Sequence, residues 1–304
     1  MKRIIKMSCL SILWAILLVS SGCAYGGYVN DEPVVSENSV SPQFEILKDG
    51  DTEDPNYTNW FCKPRDYDNP LNSEVKYPLV IYLHGSSQST LVNMHFYFGW
   101  EYPDGWSNDS AIEFKKEHPC FVYLPMANNN TWDVATLKKW IDIIITNNRV
   151  DTTRIYVNGF SMGGYAEVNL ANAYATANPP VYFAAIVMLA AANGNINETL
   201  KSKSSFFFIY GGNASEAGAV ETLYNNMKAY ATNTGGMESV KENYTISYKN
   251  TNTTTATRTS YTKNEKTFLQ KMVLPEKGHV ISSYPYFDPD TMDWIFDQRL
   301  DTRK

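Results

Sequence analysis

The stretch Gly159-Phe160-Ser161-Met162-Gly163-Gly164 constrains the fold more than any other part of the chain. It follows the apolar run Arg154-Ile155-Tyr156-Val157-Asn158 and precedes a helical segment from about Tyr165 to Tyr174. A G-x-S-x-G between a strand and a helix demands a sharp, strained turn. Residues two before and two after the serine must be small, because side chains there would collide with the neighbouring strand and helix. The serine then projects at the carboxyl edge of a sheet. The helix N-terminus behind it favours developing negative charge. Ser161 is therefore the candidate nucleophile.

Around this turn, short apolar runs alternate with helical stretches, the pattern of a mostly parallel sheet with helices on both faces, an α/β fold. Leu79–Leu83 reads as a buried strand ended by His84-Gly85, and Phe121–Leu124 as another ended by Pro125. Val134, Leu137, Ile141, Ile144 and Ile145 recur at helical spacing behind Asp133, a suitable N-cap. Ala184–Ala190, Phe206–Tyr210 and Lys266–Leu274 read as strands, Glu221–Tyr230 and Met292–Arg299 as helices. Residues 243–263 are less regular. Tyr244–Tyr248 alternates at period two and is expected to form an edge hairpin with Thr257–Thr262.

A serine hydroxyl is a poor nucleophile without a base. The chain has four histidines, and only His279 follows Ser161. It sits in Lys277-Gly278-His279, just past the last strand, where this kind of sheet delivers its base. His84-Gly85-Ser86-Ser87 ends an early central strand, the place of an oxyanion loop. The expected donors are the backbone N–H groups of Met162 and of Ser86 or Ser87, with His84 supporting the loop. An acid should follow Tyr210 to orient the imidazole. The loop Gly211-Gly212-Asn213-Ala214-Ser215-Glu216 holds one carboxylate, Glu216, and Asn213 is the neutral alternative. Asp288 and Asp290 read as helix-start residues.

The N-terminus reads as an export signal. Lys2, Arg3 and Lys6 precede the apolar stretch Leu10–Val19, which is too short to span a bilayer. Ser20-Ser21-Gly22-Cys23 resembles a bacterial lipobox, so residues 1–22 are expected to be cleaved and Cys23 lipidated. Removing 1–22 takes three basic and no acidic residues from a net charge of −6, leaving −9. That argues against nucleic acid as a partner. The lipid is the one expected membrane contact, which places the protein on the bacterial cell envelope. Residues 23–43 read as a flexible tether and 44–304 as one domain. Cys62 and Cys120 are equally readable as a disulfide and as two buried thiols on neighbouring strands. No Cys/His spacing suggests a metal, and the chemistry needs no cofactor.

Tyr77–Gly85, Val150–Tyr165 and Gly278-His279 together resemble the esterase and peptidase branch of the α/β hydrolases. That branch is similar to feruloyl and acetyl-xylan esterases of the first carbohydrate esterase family and to polyhydroxybutyrate depolymerases. The resemblance runs from about Tyr57 to Arg299. It implies an α/β-hydrolase fold and a serine esterase acting through Ser161 and His279 on small-molecule or polysaccharide esters. Tyr210-Gly211 stands where members carry His-Gly, and the usual Asp of that loop is missing. Trp100, Trp106 and Trp132, with Phe96, Tyr97, Phe98 and Tyr102, crowd segments expected at the catalytic face and suit sugar or feruloyl rings. Two other functions are compatible with the sequence: a peptidase of the same fold, and a non-catalytic glycan-binding lipoprotein.

Overall fold

A computed structural model describes residues 33, 44–48, 57–86, 118–127, 131–191, 195–233, 235–248, 252–281, 284 and 288–302. The signal, most of the tether, Cys23, Ser87, Trp100 and Trp106 lie outside the described residues.

Among the described residues, ten strands form one sheet: β1 (Phe44–Ile46), β2 (Tyr57–Cys62), β3 (Tyr77–Leu83), β4 (Phe121–Ala127), β5 (Val150–Phe160), β6 (Ala185–Leu189), β7 (Ser205–Gly211), β8 (Glu238–Tyr248), β9 (Asn252–Lys263) and β10 (Lys266–Leu274). Their order is β1-β2-β4-β3-β5-β6-β7-β10-β9-β8. The six strands from β4 to β10 are mutually parallel, and antiparallel pairs flank them on both sides. Among the described residues the helices are α1 (Val134–Asn147), α2 (Met162–Ala175), α3 (Glu198–Lys203), α4 (Ala217–Asn233) and, after the last strand, α5 (Pro289–Phe296).

β3, β4 and β6 are apolar and buried along their whole length because both faces are covered. Leu79, Ile81 and Leu83 of β3 join a core with α1, α2 and α4, through Trp140, Leu170 and Tyr224. Val80 and Tyr82 point the other way, into a core closed by Met292, Trp294 and Phe296 of α5. Asp133 caps α1 as expected, accepting from the N–H groups of Ala135 and Thr136 at 3.3 and 3.1 Å.

Several boundaries differ from the sequence reading. β5 starts four residues earlier than its apolar run, and α4 starts before Glu221. β4 does not stop at Pro125 but continues to Ala127. Its pairing with β3 ends at Tyr123, so a residue without an N–H at 125 costs that ladder nothing. The edge hairpin exists with a displaced register: Tyr244–Tyr248 pairs with Asn252–Ala256, and Thr257–Thr262 faces Glu238–Asn243. β1, β2 and α3 were not anticipated. Cys62 and Cys120 are buried and unbridged.

Candidate active site

Ser161 stands between β5 and α2 with φ 52° and ψ −115°, a conformation that ordinary side chains avoid. The structure over-determines this strain. The Ser161 N–H donates to the Leu189 carbonyl at 2.8 Å, and the Ser161 carbonyl accepts from the Gly164 N–H at 3.0 Å. The small-residue requirement is literal here. A Cβ at residue 163 would sit 1.9 Å from the Leu83 oxygen, and one at 159 would sit 2.5 Å from the Gly163 oxygen. Only glycine lets the helix start this close to β3.

The Ser161 hydroxyl lies 2.9 Å from His279 Nε2. His279 Nδ1 lies 2.7 Å from Glu216 Oε1. With Nδ1–H donating to the carboxylate, Nε2 is left as the acceptor for the serine proton. The His279 side chain is 44% exposed, while that of Glu216 is 13% exposed. The imidazole is thus open to solvent, while the carboxylate behind it is largely covered. Phe160 packs its ring 5.1 Å from the imidazole centroid.

Two loops are tied together to make this pair. The Gly212 N–H donates to Leu274, and the Asn213 N–H to Lys277, both at 2.9 Å. Gly211 permits the approach, since a Cβ there would fall 2.1 Å from the Gly278 oxygen. The Glu216 carbonyl accepts from the Ala219 and Val220 N–H groups, so Glu216 caps α4. A carboxylate is favoured at that helix end. Glu216, rather than Asn213, meets the imidazole, and Asn213 contributes its backbone.

His84 is fully buried and is not placed as a base. Its Nε2 accepts from the Ala127 N–H at 3.0 Å, which leaves Nδ1–H to donate to the Gly85 carbonyl at 2.7 Å. Burial holds its pKa below the usual range against that last bond, so the ring is a neutral brace between β3 and β4. Trp132 joins the brace. Its indole N–H donates to the His84 carbonyl at 3.2 Å, and its ring lies 4.7 Å from the imidazole. Ser86 follows, exposed. Met162 is the first residue of α2, so its N–H has no acceptor within the helix.

Asp288 occupies the start of α5, but its carboxylate turns inward. It accepts from Arg258 and from the Thr291 hydroxyl, each at 2.6 Å. Asp290 lies in the first turn, 3.5 Å from Arg258. Sequence reasoning missed this link from the edge ribbon to the closing helix.

One buried group behind the nucleophile also escaped the sequence reading. Glu167 on α2 is 0% exposed, and among the described residues neither carboxyl oxygen has a hydrogen-bond partner. Burial pushes its pKa well above the ordinary 4.5, and the nearby Gly159 N–H offsets only part of that. A raised folded-state pKa gives stability that is complete below the unfolded value and declines as pH rises toward the folded one. Glu167→Gln removes the titration. Its melting temperature should match wild type near pH 4 and exceed it increasingly as pH rises above about 5. A constant difference across that range would refute the neutral buried acid.

No family model and no curated protein matches the sequence. Among solved structures, the chain is similar to a thermostable esterase at 17% identity and TM-score 0.56, covering 85% of this chain and 63% of that one. It therefore spans less than two thirds of that esterase. It is similar to a ferulic acid esterase at 14% identity and TM-score 0.51, covering 81% of this chain and 92% of that one. An acetyl xylan esterase from Aspergillus awamori matches at 13% identity and TM-score 0.52, over 83% of this chain and 98% of that one. At such identities the likeness speaks for architecture. With its parallel core, its strand–serine–helix turn and its histidine after the last strand, the chain has the α/β-hydrolase fold.

Proposed function

We propose that this protein is a serine hydrolase that cleaves carboxylic esters through an acyl-enzyme on Ser161. The hydrogen-bonded row Ser161–His279–Glu216 carries the proposal. His279 Nε2 takes the Ser161 proton as Oγ attacks the ester carbonyl. The carbonyl oxygen gains negative charge, and the N–H groups of Met162 and of Ser86 or Ser87 stabilise it. Each such donor is worth roughly 3 kcal/mol of barrier. The imidazolium, held by Glu216, then gives its proton to the departing alkoxide. Water activated by His279 hydrolyses the acyl-serine and regenerates the hydroxyl. A degenerate, glycan-binding scaffold would have no reason to keep this row, which favours the hydrolase.

The rim and the neighbours support a substrate class. Tyr165, one helical turn after Ser161, is 39% exposed, and Val280, next to His279, is 67% exposed. Large apolar groups at such positions suit the acyl part of an ester. The similar structures include a ferulic acid esterase and an acetyl xylan esterase. Acetyl or feruloyl esters of plant polysaccharides are therefore the proposed substrates, handled by an exported enzyme tethered through lipid on Cys23. The test is a fluorophosphonate probe. Labelling should map by mass spectrometry to the peptide containing Ser161, and release of nitrophenol from a nitrophenyl acetate should stop in proportion. Folded protein that takes up no probe would sink the proposal.

A further inference from the structure

Tyr210 is the last side chain of β7 before the loop that carries Glu216. Its hydroxyl donates to Glu221 Oε2 on α4, five residues beyond Glu216. Lys271 on β10 donates to both Glu221 oxygens, at 2.8 and 3.0 Å. Its ammonium also lies 4.4 Å over the Tyr224 ring. β10 and β7 are parallel neighbours, with Val273 opposite Tyr210. Three pieces of chain thus converge on one carboxylate: the strand that enters the acid loop, the helix that the acid caps, and the strand that ends five residues before His279.

We infer that Tyr210, Glu221 and Lys271 are positioning residues, a clamp that sets the distance between Glu216 and the His279 imidazole. The inference rests on the proposed esterase mechanism and deepens it. Glu216 is fixed to α4 by capping, and His279 is fixed to β10 by a short turn. The 2.7 Å bond between them therefore depends on how α4 lies along β10. Glu221 and Lys271 join those two elements directly. Burial pushes the Glu221 carboxyl up, but the bonds from Lys271 and Tyr210 outweigh it and keep the group below the usual range. The Glu221 carboxylate is thus held in its ionised form. A part-buried ion pair of this kind adds little to stability. A misplacement near 1 Å at a reacting centre costs far more in rate, on the order of 100-fold. The clamp should therefore register in kcat rather than in folding.

The test is a double-mutant cycle read on nitrophenyl acetate, with phosphonate labelling rates as a second readout. Lys271→Met and Tyr210→Phe should each lower kcat about tenfold at unchanged KM and nearly unchanged melting temperature. Lys271→Arg should restore most of the rate. In a Glu216→Gln background the same substitutions should change the rate less than about twofold, because the group they position has lost its function. Equal losses in both backgrounds would overturn the inference, as would full kcat in both single variants. If Lys271→Met fails to fold, Tyr210→Phe, which keeps the ring, carries the cycle alone. Wild-type protein without ester turnover would sink the esterase reading itself, and the clamp with it.

Discussion

Ser161→Ala is expected to lower kcat for a short-chain ester about 10⁶-fold, with KM little changed. The substitution removes the atom that forms the acyl bond and touches no packing contact of the turn. His279 and the oxyanion donors remain, so a residual reaction with water somewhat above the uncatalysed rate should persist. The backbone makes a second expectation possible. Ser161 is held at φ 52°, ψ −115°, and alanine suffers the same strain. Glycine does not. Ser161→Gly should therefore be as inactive as the alanine variant yet melt roughly 2–4 °C higher, since relief of about 1 kcal/mol shifts a domain of this size by that much. Kinetics and calorimetry on the three proteins decide both points. Turnover in Ser161→Ala within tenfold of wild type would remove the serine from the mechanism, and a Ser161→Gly protein less stable than wild type would show that the turn is not strained.

The turn was legible in the sequence because its demands are local. A Cβ at residue 163 would lie 1.9 Å from the Leu83 oxygen, so the start of this helix tolerates only glycine there, and that necessity is written in five consecutive letters. The buried strands were legible for a similar reason: strands covered on both faces are apolar throughout. His279 followed from chain order, and Glu216 from being the one carboxylate in a short loop. The ribbon register was not legible. Glu238–Asn243 is exposed along the sheet edge, so no buried face penalises a slip of its pairing. β1 and β2 are short flanking strands whose mixed composition gives no periodicity. Trp132 was read as a substrate platform because aromatic residues near a site suggest one; its bond to the His84 carbonyl, by contrast, could not be read from the sequence. The Tyr210–Glu221–Lys271 cluster depends on a contact between Glu221 and Lys271, 50 positions apart, beyond the reach of any local pattern.

Glu216→Gln should lower kcat about 10⁴-fold, a far larger effect than the loss of one charge on a half-exposed loop would suggest. The reason is the tautomer. Glutamate can only accept, so it fixes the His279 proton on Nδ1 and leaves Nε2 free to take the proton of Ser161, 2.9 Å away. Glutamine offers an NH₂ as well. When that group faces the ring, Nδ1 becomes the acceptor, the proton moves to Nε2, and the serine hydroxyl loses its base. The neutral amide also withdraws the charge that stabilises the imidazolium formed in the transition state. Stability should move much less, by about 0.3–1 kcal/mol, which is the worth of a carboxylate at the N-terminus of α4. Glu216→Asp separates charge from reach. It keeps the carboxylate but shortens the arm by one methylene, and a displacement of about 1 Å or more should cost on the order of 100-fold. The order wild type, Asp, Gln in kcat, with all three melting within a few degrees, is the signature of an acid that orients its histidine. A Gln variant within tenfold of wild type would mean that the imidazole is held in its working tautomer by something other than the 2.7 Å bond to Glu216.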